Sequence, residues 1–304
     1  MREPVRLSVA IAYPSQILAR VKEADRKDVW RLCDAVSVNI LDSGAEQLAK
    51  EAQAQGCVIR THSYPGNLYA TGPGRPGRQA PTSDLAGAST LNAEGARQRG
   101  FRDGVACTQY GAQAHEWNAE AGIWRGRVRR RSSEGLPEAW FARDDAEGLM
   151  TAYLIGWEQS GCVRPLWDLS LLDRRKFYPN NPAEVPASLA KRFRVRSVMA
   201  YSTVRGATPT QNEGYYRNRI ADAARLSGGL PVNLVPGSGR VDSSGHVWGD
   251  HRALEAVVMN PPDELVEVSL YVSGQGGHVQ LFTGNPKHPS VLELFRKWRT
   301  MRGE

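Results

Sequence analysis

Residues 111–120 (GAQAHEWNAE) form the most informative stretch of this chain. Gln113, His115, Glu116, Trp117, Asn118 and Glu120 follow an apolar, strand-like run at residues 105–110. Two carboxylates can act as a proton donor and as a nucleophile or base. An amide hydrogen-bonds hydroxyls, and an indole offers a flat apolar face with a donor at its edge. Together they suit a site that grips and cleaves a sugar chain. Ordinary loop polarity is the competing reading.

Such groups act together only if the backbone brings several strand ends to one place. Short β-branched runs alternate with helical patterns from end to end. The strand candidates are residues 7–13, 35–41, 57–62, 105–110, 163–169, 195–201, 232–235 and 266–272. The spacing of Leu149, Tyr153, Leu154 and Trp157 predicts a helix, with Asp144 and Asp145 available as caps. Further helices are expected over 213–226 and 291–298. Strand–helix alternation implies a parallel sheet, because parallel neighbours need crossover helices. Eight such units predict an α/β fold: one (β/α)8 TIM-type barrel domain over residues 1–304. The competing arrangement is a doubly wound open sheet. Against it, Pro14, Ser15 and Gln16 follow the first strand where a glycine-rich phosphate loop would stand, and GPGRPG at 72–77 is not a strand-to-helix GxGxxG.

Connections into strands read as short, at 55–56, 103–104, 160–161 and 228–231. Several connections out of strands read as long, at 63–90, 111–142, 174–187 and 236–251. Long loops on one side belong to the C-terminal face, where barrels keep their chemistry. On that face the expected groups are Tyr13, Asn39 and Asp42, His62 and Tyr64, then Gln113, Glu116, Asn118 and Glu120. Trp167 with Asp168, Tyr201, Asn233 and Tyr271 with Ser273 complete the ring. Glu120 and Glu116 are the acid candidates, and Asp168 and Asp42 are the possible partner carboxylates. Asn118, Trp117, Gln113, His62, Tyr64, Asp42, Trp167, Tyr201, Asn233 and Tyr271 are the expected sugar contacts. A carboxyl separation of about 5–5.5 Å would give retention of configuration, and about 6.5–9.5 Å inversion.

The run Glu116–Trp117–Asn118–Ala119–Glu120 resembles the fourth-strand signature of the large superfamily of retaining glycosidases built on (β/α)8 barrels. In that family a Trp-Asn-Glu type motif presents the acid/base glutamate, and the asparagine contacts a sugar hydroxyl. The resemblance implies Asn118 as the hydroxyl contact and Glu120 as the acid/base. Two departures stand out. Ala119 separates Asn118 from Glu120, and residues 232–239 contain no carboxylate where the family's seventh-strand nucleophile would lie. The implied activity is hydrolysis of a polysaccharide or cell-wall glycan. The alternative is a barrel without catalysis, used for carbohydrate binding or as an assembly component, for example of a phage particle.

A net charge of +7 favours polyanionic partners, an acidic wall glycan among them. The arginines at 125, 127, 129, 130 and 131 lack the aromatic platform of a nucleic-acid module, so nucleic acid is not expected as a partner. Self-association or entry into a larger complex remains open. Cys33, Cys57, Cys107 and Cys162 are widely spaced with no CxxC, which predicts free thiols, disulfides being the alternative. No metal or cofactor is expected: GxSxG, HExxH and Walker patterns are missing and the six histidines are scattered. No apolar stretch approaches the ~18 residues of a membrane span, and residues 1–16 read as a first strand rather than a secretory leader. Cytoplasmic synthesis, with release by lysis or carriage in a particle, is the localisation this suggests.

Overall fold

A computed structural model describes residues 3–40, 42–63, 92–119, 128–130, 139–141, 146–162, 166–172, 193–200, 206–241, 247–272, 276–277 and 279–304. The first strands are β1 (Arg6–Ile11), β2 (Ala35–Asn39), β3 (Val58–Ser63) and β4 (Ala114–Ala119). A small antiparallel hairpin follows, β5 (Val128–Arg130) with β6 (Ala139–Phe141). Then come β7 (Leu166–Leu172), β8 (Phe193–Ala200) and β9 (Val232–Pro236), a second hairpin of β10 (Arg240–Val241) with β11 (Val247–Trp248), and β12 (Leu265–Val272). Eight of these strands form a closed barrel in the order β1-β12-β9-β8-β7-β4-β3-β2. Closure is made by β1, which pairs in parallel with both β12 and β2. No barrel edge is left to pair with another chain. The (β/α)8 expectation holds, and the open sheet is ruled out by that closure.

Helices surround the ring: α1 (Pro14–Arg20), α2 (Glu23–Trp30), α3 (Ala45–Gln53), α4 (Ala93–Gln109), α5 (Ala146–Gln159), α6 (Pro209–Leu226), α7 (His251–Met259) and α8 (Val291–Arg302). Their starts follow from local chemistry. Asn92 accepts from the Gly95 N–H, while Thr208 and Ser290 form capping boxes with Gln211 and Glu293. The apolar core lies between the outer strand faces and these helices. Leu7, Val9, Ile11, Val36, Val38, Leu234, Val268 and Leu270 pack there with Trp30, Leu48, Trp157, Leu254, Phe295 and Trp298. No helix among the described residues is long and apolar enough to cross a membrane.

One expected strand is not a strand. Residues 105–110 form the end of α4, and the fourth strand lies further on, at Ala114–Ala119. The buried positions of α4 are Ala96, Gly100, Asp103, Gly104 and Cys107, a helical 3.6-residue spacing. Small and polar residues occupy that stripe, so only the short apolar tail stood out. The stripe is small because α4 and α5 approach very closely. A Cβ at Gly100 would lie 1.9 Å from the Tyr153 carbonyl oxygen, and one at Gly156 1.8 Å from that of Arg97. The Tyr153 hydroxyl donates to Asp103 at 2.5 Å across this seam. The caps proposed at Asp144 and Asp145 lie outside the described residues.

All four cysteines are free, as expected. Burial pushes the Cys57 thiol up to about 12 and raises Cys33 and Cys107 well above their usual value, so these are inert core thiols.

Candidate active site

The inside of the barrel is polar. Where barrel interiors usually hold bulky branched side chains, this one buries Ser8, Ser37, Asn39, Arg60, His62, Ser197, Asn233, Glu267 and Ser269. The period-two alternation of the strands produces this directly: Leu7, Val9 and Ile11 face the helices while Ser8 faces inward, beside Glu267 and Ser269 of the adjacent β12. At the centre, Arg60 Nη1 donates to Glu267 Oε1 at 2.6 Å and Nη2 donates to Oε2. Ser8 and Ser269 donate to the same carboxylate at 2.5 and 3.0 Å, and Arg6 stands 3.6 Å from it. Burial pushes the Glu267 carboxyl up, but Arg60, Arg6 and the Ser8 hydroxyl outweigh it, and the net direction is down.

The candidate carboxylates sit on neighbouring strands. Glu116 of β4 pairs in register with Asp168 of β7 on one side and with His62 of β3 on the other. Asn118 pairs with Ser170 two residues further along. Both acids lie within their strands. Glu116 was expected after residues 105–110, which are helical. Asp168 was expected near the end of a strand at 163–169, but β7 runs Leu166–Leu172, which puts it in the first half. Glu120 directly follows the last residue of β4 and, with Tyr64, Tyr201 and Ser273, lies outside the described residues.

His62 is buried, and its Nδ1 is 2.9 Å from the Ser37 hydroxyl. Burial lowers its pKa to about 3, so the ring is neutral and acts through hydrogen bonding. Asp42 sits at the C-terminal end, where it accepts from the Ser15 N–H at 2.7 Å, the Ser15 hydroxyl at 2.9 Å and the Gly44 N–H at 2.9 Å. Asp42 therefore ties the first turn of α1 to the loop after β2. Tyr271 is half-buried near the end of β12, and its carbonyl accepts from Ser238 at 2.6 Å. Trp117 lies in β4 opposite Ser63 of β3.

Three expected sugar contacts are placed elsewhere. Gln113 precedes β4, and its N–H donates to the Ile59 carbonyl at 2.8 Å, which sets it at the N-terminal rim. The cause is again the helix at 105–110, which makes 111–113 a helix-to-strand turn. Trp167 is near the entry of β7 and pairs with His115 of β4. Asn233 is near the entry of β9, buried, and donates to Ser197 at 3.2 Å. Conversely, Arg60, Ser37 and Glu267 were not singled out from the sequence. Their signal was available in the alternation of 266–272 (VEVSLYV), where every second residue inside a barrel strand is polar. Among the described residues, no group of three or more His, Cys, Asp or Glu side chains is arranged to hold a metal ion.

No protein-family profile and no curated protein matches the chain. Solved structures do match in fold. Two fungal β-1,4-galactanases are represented by a structure at 12% identity and TM-score 0.56, covering 95% of this chain and 99% of that one. A GH18 chitinase from Pseudoalteromonas aurantia gives 11% identity and TM-score 0.56, covering 96% and 100%. The spore cortex-lytic enzyme SleL of Bacillus cereus gives 11% identity and TM-score 0.52, covering 98% and 76%. The chain thus shares, over nearly its full length, the barrel fold of these glycan-degrading enzymes.

Proposed function

We propose that this protein is a glycoside hydrolase that cleaves a polysaccharide or cell-wall glycan by carboxylate acid/base chemistry. The observation that carries the reading is the register pairing of Glu116 with Asp168 on adjacent parallel strands of a closed, polar-lined barrel. Strand alternation gives positions 116 and 118 the opposite parity to His115, whose ring packs outward on Trp157 at 4.5 Å. In this reading Glu120 donates a proton to the leaving glycosidic oxygen and Asn118 hydrogen-bonds a sugar hydroxyl. Glu116 or Asp168 supplies the second carboxylate, which attacks the anomeric carbon or takes a proton from water. On the same reading His62, Trp117, Tyr64, Tyr201 and Tyr271 are sugar contacts, and Asp42 braces the start of α1 against the loop after β2. The basic net charge of +7 favours an anionic wall glycan as substrate.

The test is release of reducing ends from a panel of chitin, β-1,4-galactan and purified peptidoglycan. Glu116→Gln and Glu120→Gln are expected to lose about 10²–10⁴-fold in kcat with unchanged melting curves. Full turnover in both variants would remove the assignment. One observation favours a second reading: β9 (Val232–Pro236) and the Gly237–Gly239 segment after it carry no carboxylate. A barrel that binds glycan, or serves an assembly, without cutting it would show binding to the same panel and no product.

A further inference from the structure

Each of the three strands that make the wall opposite β4 carries or is followed by an aromatic residue near its C-terminal end: Tyr13, Tyr271 and Trp248. In the ring, β1, β12 and β9 are consecutive, and β12 stands directly opposite β4. Tyr13 lies just beyond β1, at the C-terminal face. The preceding Ala12 is fixed by its N–H to the Val272 carbonyl at 3.1 Å and by its own carbonyl, which accepts from Asn39 at 3.1 Å. Yet the Tyr13 side chain is 46% exposed. The other exposed aromatic among the described residues is Phe101, out on α4.

Trp248 ends the β10–β11 hairpin above β9 and is also partly exposed. Two glycines seat it. At Gly237 a Cβ would fall 2.8 Å from the backbone and Cβ of Trp248. At Gly249, where φ is +94°, a Cβ would come within 2.1 Å of the Gly237 carbonyl oxygen. The Gly239 N–H donates to the Trp248 carbonyl at 2.8 Å, and Gly237 bridges to Tyr271. Trp248, Tyr271 and Tyr13 therefore follow one another across three neighbouring strand ends.

We propose that Tyr13 and Trp248 are stacking platforms for the pyranose rings of a glycan, on the wall opposite β4. The inference rests on the glycosidase reading and adds the surface that holds the substrate. A pyranose presents an apolar C–H face and a polar rim. Phenol and indole rings match this with an apolar face and a polar tip. A platform opposite β4 presents the other side of the sugar to that strand. The close contacts of Gly237 and Gly249 keep the Trp248 backbone near the strand ends, which lowers the ordering cost of binding there.

The experiment measures steady-state kinetics and calorimetric binding with chitohexaose, β-1,4-galactohexaose, β-1,4-mannohexaose and purified peptidoglycan. For whichever of these the wild type cleaves, Tyr13→Ala and Trp248→Ala should each raise KM about tenfold. The kcat should stay within about twofold, the signature of lost uniform binding. Tyr13→Phe should keep the wild-type KM, because it retains the ring. Unchanged KM in both alanine variants would overturn the platform and leave the glycosidase reading standing. A wild type that neither binds nor cleaves any of the four would overturn both. Tyr13 is exposed, so its alanine variant decides the matter even if Trp248→Ala fails to fold.

Discussion

The buried histidines make a clear prediction at the scale of single residues. Burial lowers His62 and His115 to about 3 and His288 to about 4, against an ordinary value near 6.5. The unfolded chain therefore binds more protons than the folded one between about pH 3 and 6.5. Stability contributed by these neutral rings is complete above that window and is lost as pH falls through it. The depressed Glu267 carboxyl acts in the same direction at lower pH. Melting temperature should decline steadily from pH 7 to pH 4. Replacing His115, which accepts or donates at Thr61 across 2.9 Å and stacks on Trp157, with glutamine should flatten the decline while lowering stability at neutral pH. A slope unchanged by that substitution would show that other groups control it.

At the scale of elements, the α4–α5 seam is the least tolerant contact in the outer ring. Gly100→Ala and Gly156→Ala would each drive a methyl into a backbone carbonyl, and neither helix can retreat without opening the core over Trp157. Each should cost about 1–3 kcal/mol, as overpacking does, read from urea denaturation. Gly161→Ala is a control of another kind: it meets no atoms, but its φ of +74° strains an L residue, so it should cost less. The same seam explains what could be read in advance. Strands with large β-branched outer faces, such as β1, β2 and β12, announce themselves through alternation with serine, asparagine and glutamate. A helix whose buried stripe is Ala, Gly, Asp and Cys does not, because its close contact uses the absence of side chains. That single misreading moved the expected fourth strand and placed Gln113 and Glu116 in a loop. Seven of the eight barrel strands and the parallel order were accessible from pattern alone; the strand carrying Glu116 was not, and neither was register, since it depends on pairings far apart in the chain.

For the whole molecule, the charged interior matters most. The Arg60–Glu267 pair is fully buried and joins strands on opposite arcs of the ring. Removing Arg60 leaves the buried Glu267 charge with only the more distant, partly exposed Arg6 to offset it. Arg60→Met should therefore destabilise the fold by about 3–5 kcal/mol, and Arg60→Met with Glu267→Leu should recover a large part of that loss. Equilibrium unfolding of the single and double variants would measure it; additive losses would mean the two side chains are independent. The resemblance to the glycosidase signature was legible at Trp117, Asn118 and Glu120, whereas the polar interior was visible only once the strands were closed into a ring.

Closure has a temporal consequence. The ring is shut by β1 against β12, whose paired residues Arg6 and Glu267 stand at nearly opposite ends of the chain. During synthesis the strand bearing Glu267 is the last of the eight to be made, so the guanidinium of Arg60 gains this counter-ion only after β12 has emerged. Refolding from denaturant should accordingly be slow, as long-range pairing demands, and the nascent protein should lean on chaperones until the eighth strand is released.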